Sequence, residues 1–263
     1  MSDAARPGSG EEADRGLGKK VFFLYPSAMV KNAVIQELMQ QEYEVYTVKD
    51  PAAMLRGLKR YPDSVVFVNI NEGLDAARWE EWIRSVRESA KTAQACIGVL
   101  SNTDDALLRG TYLTGIGVQC GFTVLKSDAA AALRQILENL RKVEAKGRRR
   151  YLRAGRGIGA SINLPIDNVF INGQIRDISA VGFSCVLDQN PNLARNVLIQ
   201  NIQLKILGRI LKVEGIVYGS RDEEDGSRCY VLLFTQRVDS DTRSRIRGGI
   251  QQYLQSSMDR ELK

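Results

Sequence analysis

Ser64-Val65-Val66-Phe67-Val68-Asn69-Ile70 is an unbroken, mostly β-branched apolar run just after Pro62. A strand that is apolar on both faces suits the middle of a parallel sheet covered on both sides. The flanking sequence agrees. Upstream, Val21-Phe22-Phe23-Leu24-Tyr25 is a second such run, ended by Pro26 and Ser27. Val30, Val34, Ile35, Leu38 and Met39 then recur at helical spacing, and residues 43–48 read as a strand. Pro51 suits a first helical turn, with Met54, Leu55 and Leu58 on one face. Downstream, Trp79, Trp82, Ile83 and Val86 mark a helix, 95–100 a strand, 104–112 a helix and 121–125 a short strand. Leu133, Ile136, Leu137, Leu140 and Val143 close the series as an amphipathic helix. Strands alternating with helices predict a flavodoxin-like α/β domain with right-handed crossovers.

The chain has 263 residues, 44% of them apolar, which suits two domains with cores of their own. Net charge is +6, a balance that favours anionic partners. Histidine is absent, which excludes histidine triads, histidine–metal sites and histidine general bases. Cys96, Cys120, Cys185 and Cys229 are scattered among apolar neighbours, read as buried thiols and not as a zinc set, in a reducing cytoplasm. No 18-residue apolar run predicts a membrane span, and no signal peptide is visible. Residues 1–17, rich in Gly, Ser, Pro and acids, read as a disordered tail.

The α/β half, residues 18–143, resembles a response-regulator receiver domain over roughly 19–143. Receivers carry an acidic pair after the first strand, where this chain has Tyr25-Pro26-Ser27. They carry an aspartate at the end of the third, where it has Asn69 and Asn71. Ser101 and Lys126 stand where receivers keep a hydroxyl and a lysine. Without carboxylates there is little to hold Mg²⁺ or to form an acyl phosphate. The expectation is an interaction module lacking the phospho-acceptor. No G-x-G-x-x-G or Walker lysine supports a nucleotide there.

The second half reads differently. Residues 144–159 form an Arg/Gly-rich linker containing Arg148, Arg149, Arg150, Arg153 and Arg156. Short strand-like runs follow at 160–164, 169–178, 182–187, 197–207, 211–218 and 229–234, separated by turn signals. They predict a six-stranded all-β barrel, and Ile246, Ile250, Tyr253, Leu254 and Met258 predict a C-terminal helix, together filling 160–263.

Arg149-x-x-x-Arg153 is followed, one strand later, by Asp177-Ile178-Ser179-Ala180-Val181-Gly182. This pairing of R-x-x-x-R with D-x-S-x-x-G resembles the PilZ domain, a bacterial receptor for cyclic-di-GMP, over about 145–255. The resemblance implies that Arg149, Arg153, Asp177, Ser179 and Gly182 hold the ligand, and that Arg148 favours a stacked pair of ligand molecules. The chemistry is compatible. Guanidinium matches guanine O6 and N7, pairs with phosphate and stacks on bases, and a carboxylate accepts from guanine N–H groups. Neither a cofactor nor a metal is expected, and no enzymatic activity. The expected partners are cyclic-di-GMP and an unidentified protein target, in regulation of motility, virulence or exopolysaccharide. Pairing of the C-terminal helix with a second copy stays open. The alternative is a nucleic-acid-binding regulator using the basic linker, against which no helix-turn-helix or base-stacking sheet is evident.

Overall fold

A computed structural model describes residues 18–263 apart from Ser127, Arg156 and Asn168. The expected disordered tail, residues 1–17, lies outside the described residues. The chain divides into two compact units. One runs to Arg150 and includes Glu261–Lys263, and the other is Tyr151–Arg260.

The first unit is built on five parallel strands, β1 (Val21–Leu24), β2 (Val45–Val48), β3 (Val65–Asn69), β4 (Cys96–Ser101) and β5 (Phe122–Val124). Their order is β2-β1-β3-β4-β5, the flavodoxin-like wind. β1 and β3 are buried along their whole length, as the apolar runs require. Val21 lies in register with Val45 on one side and Val65 on the other. Phe23 stacks on Phe67 with ring centroids 5.2 Å apart.

Helix α1 begins as a wide turn (Val30–Ile35) and continues as α-helix (Gln36–Gln40). α2 (Pro51–Arg60), α3 (Ala76–Glu88), α4 (Ala106–Gly110, widening over Thr111–Ile116) and α5 (Ala129–Lys142) follow. Four of these helices start on an aspartate whose carboxylate accepts from first-turn N–H groups. Asp50 accepts from Ala52 and Ala53, Asp75 from Arg78, Asp105 from Leu107 and Leu108, and Asp128 from Ala130. The fourth helix runs past its expected end at 112 and stops at Gly117, whose φ of 74° the left-handed region accommodates.

At the carboxyl edge of this sheet, amides and hydroxyls close the loops. Asn69, buried at the end of β3, donates from Nδ2 to the Tyr25 carbonyl at 2.9 Å and accepts from Asn71 N at 3.2 Å. Asn71 accepts from Asn102 N at 2.7 Å, and the Ser101 hydroxyl accepts from Thr103 N at 3.0 Å. Among the described residues no three His, Cys, Asp or Glu side chains converge as a metal set would.

The second unit is a closed six-stranded antiparallel barrel with a C-terminal helix. Its strands are β7 (Ser161–Ile166), β8 (Val169–Ser179), β9 (Gly182–Leu187), β10 (Leu198–Ile206), β11 (Arg209–Asp222) and β12 (Arg228–Phe234), and β8–β9 pairing closes the ring. Ile162, Leu164, Ile202, Leu204, Val217 and Leu232 point inward at strand alternation. Helix α6 (Ser240–Glu261) adds Ile246 and Ile250 to that core. Asp239 precedes it and accepts from Thr242 N at 2.6 Å, which holds its carboxyl below the usual range. Two features went unread in the sequence. The arms of the β10–β11 hairpin are longer at the β11 end than the periodicity gave. A short strand β6 (Arg153–Ala154) pairs on β8 within the stretch expected to be a flexible linker. Two rungs are too short to leave a periodic signal.

Cys120, Cys185 and Cys229 are buried, whereas Cys96 is half-buried. A hydrogen bond from the Cys120 thiol lowers Cys96 below the usual thiol range, with Lys19 adding to the effect, and raises Cys120. Iodoacetamide at neutral pH should therefore alkylate Cys96 first in native protein, the other three only after denaturation. Peptide mass mapping showing simultaneous labelling of all four would contradict this.

Candidate functional site

The turn joining β8 to β9 is set by a one-residue slip in strand pairing. Register shifts between Ile175 and Asp177, leaving Arg176 as the extra residue of a β-bulge. Strict alternation from Ile175 would send Asp177 inward. The bulge resets the faces, so Ile175 and Ile178 both enter the core and Asp177 turns outward. Beyond it Ser179 lies in register with Gly182, closing the hairpin.

Arg153 sits opposite Ser179 on β6. Its Nη1 lies 3.7 Å from Asp177 Oδ1, with side chains 56% and 34% exposed. A pair this long and wet contributes at most about 1 kcal/mol, so the guanidinium is easily drawn to a better acceptor. The other Asp177 oxygen accepts a hydrogen bond from the buried Ser184 hydroxyl, which fixes the carboxylate.

Ser179 is buried. Its hydroxyl donates to the Gly182 carbonyl at 3.2 Å and accepts from Val181 N at 3.4 Å, so it shapes the turn. A Cβ on Gly182 would stand 2.3 Å from the Leu232 carbonyl oxygen and 3.1 Å from Leu233 Cα. The glycine is needed because β12 passes against it. The structure thus brings Arg153, Asp177, Ser179 and Gly182 to one end of the barrel. Arg148 and Arg149 are exposed and close the first unit, without regular secondary structure.

Two contributors escaped the sequence reading. Ser184, in register with Asp177, looks like an ordinary strand serine. Arg243 on α6 is one of several arginines there, yet it ties the site down. Nη1 donates to the Ala180 carbonyl at 2.8 Å, Nη2 to Thr235 O at 2.7 Å and Nε to Val238 O at 3.1 Å. One planar fork thereby joins the site turn, the end of β12 and the start of the helix.

A small closed barrel with an outward arginine–carboxylate pair at a tight turn, in a chain that also carries a flavodoxin-like unit, is the class of molecule these features define. Protein-family models give no match to the chain, and no curated protein matches it. Solved structures do resemble it. The PilZ domain of YcgR from Escherichia coli, solved with c-di-GMP, is 16% identical, covering 43% of this chain and 93% of that one at a TM-score of 0.33. The MrkH–c-di-GMP complex of K. pneumonia is 18% identical, covering 44% of this chain and 57% of that one at 0.39. The chemotaxis protein CheY4 of Vibrio cholerae is 18% identical, covering 48% and 98% at 0.39.

Gly182→Ala should destabilise the barrel by roughly 1–3 kcal/mol, the usual range for overpacking. Arg243→Met, which keeps the aliphatic stem but leaves three carbonyls without their donor, should also lower the melting temperature. Thermal melts at or above wild type for either variant would contradict these assignments.

Proposed function

We propose that this chain is a receptor for cyclic-di-GMP, a regulatory binding protein and not an enzyme. The observation that carries the reading is the outward Arg153–Asp177 pair held at the bulged β8–β9 turn, with Arg149 four residues upstream. A bis-guanylate needs cationic, planar donors for its phosphates and guanine Hoogsteen edges, and an anionic acceptor for guanine N–H groups. Arg149 and Arg153 supply the first and Asp177 the second. Arg148 adds a further guanidinium, with capacity for a second ligand molecule. Ser179 and Gly182 give the turn its shape.

The Arg-x-x-x-Arg segment spans the division of the chain between Arg150 and Tyr151, with Arg149 before it and Arg153 after it. Ligand capture in this segment orders the connection and changes the arrangement of the units, and with it the affinity for a protein target. Motility, virulence and exopolysaccharide control are the processes such an effector would serve. Among the described residues no helix is long and apolar enough to cross a membrane, and the proposed compartment is the cytoplasm.

Calorimetric titration with cyclic-di-GMP tests the site. Wild type should bind saturably. Arg149→Ala and Arg153→Ala should each weaken binding by about 10- to 100-fold, as loss of a charged hydrogen bond of ~1.5–3 kcal/mol implies. Equal binding by wild type and variants would overturn the assignment, as would no heat at all from wild type. Small-angle scattering should change on adding ligand, and superimposable curves would reject the rearrangement.

A further inference from the structure

The β10–β11 hairpin and helix α6 enclose a recess within the second unit, away from the β8–β9 turn. It has a volume of about 260 Å³ and is lined by Ile206, Leu207, Arg209, Arg245, Gly248 and Gly249, among others. This lies below the roughly 300–1,000 Å³ of pockets that take whole small ligands. It suits a single inserted side chain.

Two oddities of sequence converge here. The hairpin turns through Leu207 and Gly208, at φ of 48° and 80°. Such turns favour Asn-Gly or Asp-Gly, and a bulky leucine in the left-handed region is strained. The strained position nevertheless holds an apolar side chain that is 39% exposed. The second oddity is Gly248-Gly249 inside a long helix, where glycine weakens the backbone. Packing explains Gly249, whose Cβ would come 2.8 Å from Ile206 Cγ2. It does not explain Gly248, around which a Cβ would meet nothing within 4 Å. The fold has room for a side chain there and leaves the recess open.

The charged residues that line this opening are both arginines, Arg209 and Arg245. None of the described lining residues is acidic; the nearby carboxylate of Asp241 pairs with Arg245 at 2.8 Å. An apolar notch with a cationic rim calls for an acidic segment bearing an apolar anchor. We propose that this recess is a docking site for an acidic stretch of a partner protein, which inserts one apolar side chain between Leu207 and Gly248. The inference is independent of cyclic-di-GMP.

The test is fluorescence anisotropy on the full chain with a labelled glutamate-rich dodecapeptide carrying one central phenylalanine, beside the same peptide with alanine there. The phenylalanine peptide should bind at least about tenfold tighter. Gly248→Leu, at a lining position where a Cβ would meet nothing within 4 Å, should abolish that preference while melting no lower than wild type. Arg209→Glu should weaken both peptides. Equal affinity for the two peptides, or a preference untouched by Gly248→Leu, would overturn the proposal. So would cosedimentation with phosphatidylglycerol vesicles that Leu207→Ser removes and Gly248→Leu leaves intact, since the occupant would then be a lipid surface.

Discussion

One extra residue in β8 decides what the barrel presents to solvent. Arg176 slips the pairing with β9, and every side chain beyond it changes face. Ile178 is thereby committed to the core, and Asp177 is turned out within reach of Arg153. Without the slip, that carboxylate would be aimed into an apolar interior, at the desolvation cost of an unpartnered charge. Ser184 then fixes one carboxylate oxygen, and Arg243 clamps the turn from the helix side. The local geometry is held from both strands and from α6, so loosening any of the three is felt at the same few atoms.

The two units use aspartate in contrasting ways. In the α/β unit, aspartates serve as helix caps at Asp50, Asp75, Asp105 and Asp128, each occupied by main-chain N–H groups. The strand ends that face the loops are closed instead by Asn69, Asn71 and Ser101. Amides satisfy backbone groups as well as a carboxylate would, without bringing negative charges together. In the barrel, Asp177 is held by a side-chain hydroxyl and a loose guanidinium, and keeps part of its surface in water.

Much of this architecture was legible in the sequence. Runs such as 64–70 announce buried parallel strands, and alternation such as Ile162, Leu164 announces the barrel wall. What stayed hidden depends on pairing between distant residues. The slip at Arg176 exists only relative to β9, and the two rungs of β6 only relative to β8. Gly182 makes way for the Leu232 carbonyl, which lies fifty positions along the chain, and no local pattern shows that approach. The widened turns of α1 and α4 change helical pitch without changing which residues are apolar. Arg243 was indistinguishable from its neighbours because its role is set by three carbonyls contributed by other segments.

The shortest strand sets the length of the tether. Ala145 is fastened to the first unit by accepting from Lys19 N, and Arg153 is fastened to the second by its rung with Ser179. Between those anchors lie the arginine cluster and Leu152, which packs against the barrel core. If the two rungs opened, the next anchor would be Ile158, buried in the barrel core five residues on, adding roughly 17 Å of slack at full extension. Anything that pulls Arg153 off its strand therefore pays out cord as well as moving a charge.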